Sequence, residues 1–151
     1  LLSGFLIAAA PIIQVSGSSQ VGFRLLWSVP FSYLIAAIAP CDAGCPVEGS
    51  MSQLLHNALA IPAYFGMGVS MALLSLAPGL KPYRLRRSFM FLTGVAFPVV
   101  FIAMVQPDFS LWRGLLQRSL DIAMGVSLVM ATWTLIPSNA AEVRHQDAAK
   151  R

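Results

Sequence analysis

Residues 52–77, SQLLHNALAIPAYFGMGVSMALLSLA, form the longest apolar run of the chain and contain no Asp, Glu, Lys or Arg. About 20 apolar residues in a helix suffice to cross the hydrocarbon core of a bilayer, so this run predicts a membrane span. Several other runs approach the same length, which excludes the buried core of a soluble domain. Composition agrees. Apolar residues make up 57% of the chain and charged residues 11%, against about 25% charged in an average soluble domain. The mean hydropathy is +0.73. The fold class expected is all-α, a polytopic transmembrane helical bundle.

Outward from that run the chain divides into spans and short connections. Before it lie an apolar run at residues 1–15, a small-residue turn at 16–22, a span at 23–39 and a polar loop at 40–51. Small polar residues such as those of SGSSQVG break helices and are easily solvated. After it come a basic connection at 78–87, a span at 88–105, a short turn at 106–113, a span at 114–136 and a polar tail at 137–151. Five spans are therefore expected. Because the chain opens at Leu1 inside an apolar run, a further span is expected upstream.

Charge gives an orientation. Lys81, Arg84, Arg86 and Arg87 crowd one connection, and Arg144, Lys150 and Arg151 the tail, whereas the loop at 40–51 has no Lys or Arg and carries Asp42 and Glu48. By the positive-inside rule the basic segments and the C-terminus are cytoplasmic and the Cys-containing loop is outside. Arg24 falls on the cytoplasmic side, and Arg113 dissents, set against Asp108 in its own turn. The net charge of +4 is thus accounted for by basic loops beside a membrane, with no nucleic-acid partner expected. Pro11, Pro30, Pro62 and Pro98 interrupt four of the five spans. They are read as kinks whose freed carbonyls neighbouring helices re-satisfy.

The polar residues that remain inside or beside spans are few. In the last span Gly114, Arg118, Asp121, Gly125, Leu128 and Thr132 recur at spacings of four and three, which puts them on one helical face, expected to turn towards the bundle. Asp121 lies about 13 Å along the helix from Trp112, a depth at which an ionised carboxylate costs roughly 3 kcal/mol. Arg118, one turn away, is its natural partner. His56 sits about 6 Å below the start of its own span. An outer-leaflet polar cluster of His56, Arg118 and Asp121 is expected, with Asn57 and Gln117 at the same level and Asp42 as a lid. Two readings stand: an ion pair that fixes helix register, or a functional site, since ionisable groups in spans usually serve one.

Three residues separate Cys41 from Cys45 in the loop expected outside, where thiols oxidise, so a disulfide is the leading reading. Metal ligation by Cys41, Cys45, His56 and Asp42 is the weaker one, lacking the paired ligand spacing of zinc sites, and no metal or cofactor is expected. There is no nucleophile–base motif, phosphate loop or dinucleotide fingerprint.

The segment from Pro40 through Cys41, Asp42, Ala43, Gly44 and Cys45 to Pro46, followed by Leu55-His56-Asn57, resembles the bacterial membrane family catalogued as domain of unknown function 998. Gly114-Leu115-Leu116-Gln117-Arg118 is similar to that family's closing-helix signature. The resemblance covers nearly the whole chain. It implies six spans, the first of them missing here, in a bacterial cytoplasmic membrane, and it implies no activity. The function expected from the residues is non-enzymatic, the binding or passage of a small molecule, lipid headgroup or ion at the polar cluster. Two alternatives stand beside it. One is an intramembrane enzyme with His56 and Asp121 as an acid–base pair on a lipid-linked substrate, the other a membrane assembly subunit. The lipid bilayer is the one partner that composition requires.

Overall fold

A computed structural model describes residues 17–149, with side chains described through Leu135. Among the described residues every regular element is helical: α1 (Ser18–Leu25), α2 (Ser28–Ile38), α3 (Met51–Ser75), α4 (Arg84–Met104) and α5 (Arg113–Ala149). Short 3-10 turns at Pro78–Leu80 and Pro107–Trp112 precede α4 and α5. Four stretches are long and apolar enough to cross a membrane: Ser18–Ile38, Met51–Ser75, Arg84–Met104 and Pro107–Leu135. The span expected at 1–15 lies outside the described residues.

The boundaries differ from expectation where polar residues ride on helix ends. The turn expected at 16–22 is helical from Ser18, entered through Gly17 at φ 61°. The fourth span begins at Arg84 rather than 88, because the long stems of basic side chains let them stay helical while their charges reach water. Residues 137–149, expected as a separate tail, continue α5. Ala, Glu, Arg and Gln in that stretch all favour helix.

Pro30 explains the break between α1 and α2. Its missing N–H would have bonded the carbonyl of Leu26, four residues back. That carbonyl instead accepts from the Val29 N–H at 3.0 Å, and the Ser28 hydroxyl donates to the Leu25 carbonyl at 2.6 Å. The kink is thereby satisfied from within the chain, as a lipid environment demands.

Helix α3 is central. It packs against α1, α2 and α4, while α5 packs on α4 and on the two 3-10 turns. Buried Met67, Met71, Leu74, Met90, Phe97 and Met124 belong to one apolar core. Ser70 of α3 donates to the Gly22 carbonyl of α1 at 2.8 Å, a buried interhelical bond. The tightest crossing is between α3 and α4. A Cβ added to Gly68 would lie 2.7 Å from the Gly94 carbonyl oxygen, and one added to Gly94 would lie 2.6 Å from the Ala72 nitrogen. Pro98 withholds the N–H that the Gly94 carbonyl would otherwise accept, so this carbonyl stands free to face Gly68 across the crossing. Close backbone approach over small residues is a common basis of helix association in lipid.

At the basic end, Arg86 donates to the Thr134 hydroxyl at 2.9 Å and covers the Tyr83 ring at 4.8 Å. This ties the start of α4 to α5. At the opposite end, Arg113 donates to the Met104 carbonyl at 2.6 Å and to the Cys45 carbonyl at 3.1 Å. Its guanidinium is thus taken up by backbone carbonyls. The unsatisfied carbonyls at a helix C-terminus are the better acceptors, and Arg113 thereby joins the Cys loop to the α4–α5 connection.

Candidate functional site

Most polar side chains between α2 and the second turn of α3 are engaged with one another or with the backbone of the loop. Ser50 N-caps α3, its hydroxyl accepting from the Gln53 N–H at 3.2 Å. Asp42 accepts from the Ser50 N–H and from the Ser50 hydroxyl, each at 2.8 Å. Gln53 accepts from the Asp42 N–H at 2.7 Å and donates to Asn57 at 2.8 Å. Asn57 in turn donates to the Val47 carbonyl at 2.8 Å. Ser52 donates to the Pro40 carbonyl at 2.9 Å. His56 Nδ1 lies 2.8 Å from the Ala39 carbonyl. A carbonyl only accepts, so Nδ1 carries the proton there. Cys41 and Cys45 are joined by a disulfide, and Gly44 and Cys45 both have positive φ, which turns the loop sharply within that ring.

An irregular loop beside a membrane leaves backbone groups that must find partners. Here the first turns of α3 supply them through Ser52, Gln53, His56 and Asn57, while Asp42 closes the loop on the α3 cap. Gln53, fully buried, is the hub, and it was not among the residues singled out from sequence. Its signal was present: Ser50-Met51-Ser52-Gln53 is a capping-box spacing. In this variant Asp42 takes the Ser50 N–H and the Gln53 side chain reaches Asp42.

These contacts set a pH response. The Ser50 N–H, and after it the Ser50 hydroxyl, hold the Asp42 carboxyl below its ordinary 3.8. A depressed folded value stabilises the loop above the unfolded value. That contribution is lost as pH falls from about 3.8 through the still lower folded value. The Ser50 amide is expected to exchange hydrogen faster as pH is lowered below 4, once intrinsic exchange is corrected for, and this acceleration is expected to be absent in Asp42→Asn.

The ionisable residues of α5 are placed differently. The helix buries Leu120, Met124, Ser127, Leu128, Ala131 and Leu135, so its core face is the apolar one rather than the expected stripe through Arg118 and Asp121. The two stripes are adjacent on the helix and meet at Leu128. Burying the apolar stripe against α4 desolvates no charge, which leaves Gln117, Arg118 and Asp121 exposed at the edge. A Cβ at Gly114 or Gly125 would have nothing within 4 Å. Asp121 is within electrostatic reach of Arg118 on its own helix and of Tyr64 on α3. Tyr64 is held by Phe97 and Phe101 of α4, with ring centroids at 5.8 and 4.9 Å.

The six expected residues thus fall into two groups and a remainder. Asp42, His56 and Asn57 belong to the loop cap. Arg118 and Asp121 belong with Tyr64, a residue the sequence reading passed over because an apolar run surrounds it. Gln117 joins neither. Among the described residues no hydrogen bond or close ion pair links His56 to Arg118 or Asp121, and no three His, Cys, Asp or Glu side chains converge as a metal site.

A family model described as "Protein of unknown function (DUF998)" matches residues 1–134. The chain belongs to that family. No curated protein and no solved structure matches it.

Proposed function

We propose that this DUF998 protein is a membrane-embedded binding protein. It takes a small polar molecule, lipid headgroup or ion beside Asp121, Arg118 and Tyr64, between α3 and α5 and in the half of the bilayer nearer the Cys loop. One observation carries the reading. Asp121 reaches Arg118 and Tyr64 electrostatically, yet no hydrogen bond or close ion pair joins these three described residues. Ionisable groups left unengaged within a span are costly and are retained where they meet a ligand or an aqueous path. The loop cap, by contrast, has its polar groups bonded to one another and supports a bracing role. By the positive-inside rule the loop end is the outer one and the basic end cytoplasmic. The acid–base reading of His56 with Asp121 needs the two within hydrogen-bond reach, and the contact of His56 with Ala39 favours the binding reading over it.

The test is native mass spectrometry of protein extracted from its membrane in mild detergent. A co-purifying small species is expected on the parent and on His56→Ala, and is expected to be lost in Asp121→Asn and in Arg118→Gln. Equal retention in all variants would remove Asp121, Arg118 and Tyr64 as the site. Selective loss in His56→Ala would move the site to the loop.

A further inference from the structure

We propose a second site: the face of α4 that begins with Arg84 and Arg87, together with Lys81 of the connection before it, binds an anionic phospholipid, its headgroup phosphate on the three cations and its acyl chain along the helix face. Four of the seven residues from 81 to 87 are basic. Arg86 is the one drawn into the protein, by Thr134 and the Tyr83 ring. Lys81, Arg84 and Arg87 are exposed, and no acidic partner pairs with them among the described residues. Like charges this close repel, so an anion of matching geometry lowers their energy.

What lies below them identifies the anion as lipid. Arg84 begins a series that continues through Ser88, Phe91, Val95, Val99 and Ile102. Spacings of four and three keep all six on one side of α4. Phe91, Val95, Val99 and Ile102 are all exposed, at 43–59% of their surface. From Arg84 to Ile102 the stripe runs about 27 Å, close to the roughly 30 Å thickness of a bilayer core. A cationic crown on a continuous apolar track of that length fits a phosphate attached to a long acyl chain, and it exceeds what a free phosphate needs. The exposed track of α3, through Leu54, Ile61, Phe65 and Val69, has no such crown. Basic clusters at the membrane surface attract anionic lipid at about fivefold in affinity per cation.

The test titrates the purified chain in detergent with phosphatidylglycerol and, separately, phosphatidylcholine, counting bound lipid by native mass spectrometry. The parent is expected to retain phosphatidylglycerol over phosphatidylcholine. Lys81→Gln/Arg84→Gln/Arg87→Gln is expected to lose roughly a hundredfold of that affinity at about fivefold per cation, while Arg24→Gln, which removes an exposed cation from α1, keeps it. Equal retention by the triple variant and the parent, or no preference between the two lipids, would overturn the proposal. Displacement of the lipid by inorganic phosphate would reassign the crown to a soluble anion and overturn the lipid assignment. If the triple variant fails to fold, the parent decides. Release of phosphatidylglycerol at high salt with helicity unchanged supports the site, because surface ion pairing is screened, and salt-independent retention overturns it.

Discussion

Gly94→Leu is expected to be the most destabilising single change in the described bundle. Pro98 lacks an N–H, which leaves the Gly94 carbonyl without its helical donor. That carbonyl faces Gly68 so closely that a Cβ there would sit 2.7 Å from its oxygen, and a Cβ on Gly94 would sit 2.6 Å from the backbone of Ala72. These neighbours are backbone, which cannot swing aside as a side-chain tip does. The two helices must separate, and Met67, Met71 and Phe97 lose their packing around the crossing. Overpacking costs about 1–3 kcal/mol, occasionally more, and a backbone-to-backbone clash belongs at the upper end, a large part of the stability of a small domain. The measurement is denaturant unfolding in detergent, with Gly125→Ala as the comparison. Nothing lies within 4 Å of a Cβ at Gly125, so that change is expected to be neutral or to stabilise through helix propensity. Similar midpoints for Gly94→Leu and Gly125→Ala would mean that the crossing does not hold the bundle together.

How much of this could be read beforehand differs from one residue to the next. The spans follow from run length, because 52–77 is too long and too apolar for any other environment. The face that α5 buries did not follow. Arg118, Asp121, Gly125 and Leu128 share a helical face as surely as Leu120, Met124, Leu128 and Ala131 do, and periodicity does not say which of two adjacent stripes meets a neighbour. The neighbour decides: α5 packs on α4, and the stripe without charges is the one that can be desolvated against it. Tyr64 was hidden for a related reason. A phenol in an apolar run shows its polar end only when another helix brings Asp121 towards it. The loop was legible in its residues and not in its roles. Asp42, His56 and Asn57 looked like the rim of a site because unpartnered polar groups look alike in one dimension. Their partners are mostly backbone groups of residues 39, 47 and 50, and backbone demand is invisible in a string of side chains.

That demand makes the second large effect, Gln53→Leu, predictable. Gln53 is fully buried, accepts from the Asp42 N–H and donates to Asn57. Leucine fills similar space but takes the partner from the half-buried Asp42 N–H and from the half-buried Asn57 carboxamide oxygen. Each lost hydrogen bond between partly buried groups costs about 1 kcal/mol, so a loss of roughly 2 kcal/mol is expected. It should be seen as a lowered unfolding midpoint together with loss of hydrogen-exchange protection at the Asp42 amide. Gln53→Glu distinguishes bonding from bulk. It keeps an acceptor for the Asp42 N–H and surrenders the donor to Asn57. It also places a second carboxylate beside Asp42, so its midpoint is expected between the parent's and that of Gln53→Leu at neutral pH and to rise as the introduced carboxylate is neutralised. If Gln53→Leu unfolds with the parent's midpoint, the hydrogen-bonded cap contributes nothing to stability. The bracing role assigned to residues 40–57 would then fail, and His56 would return as a candidate for the site.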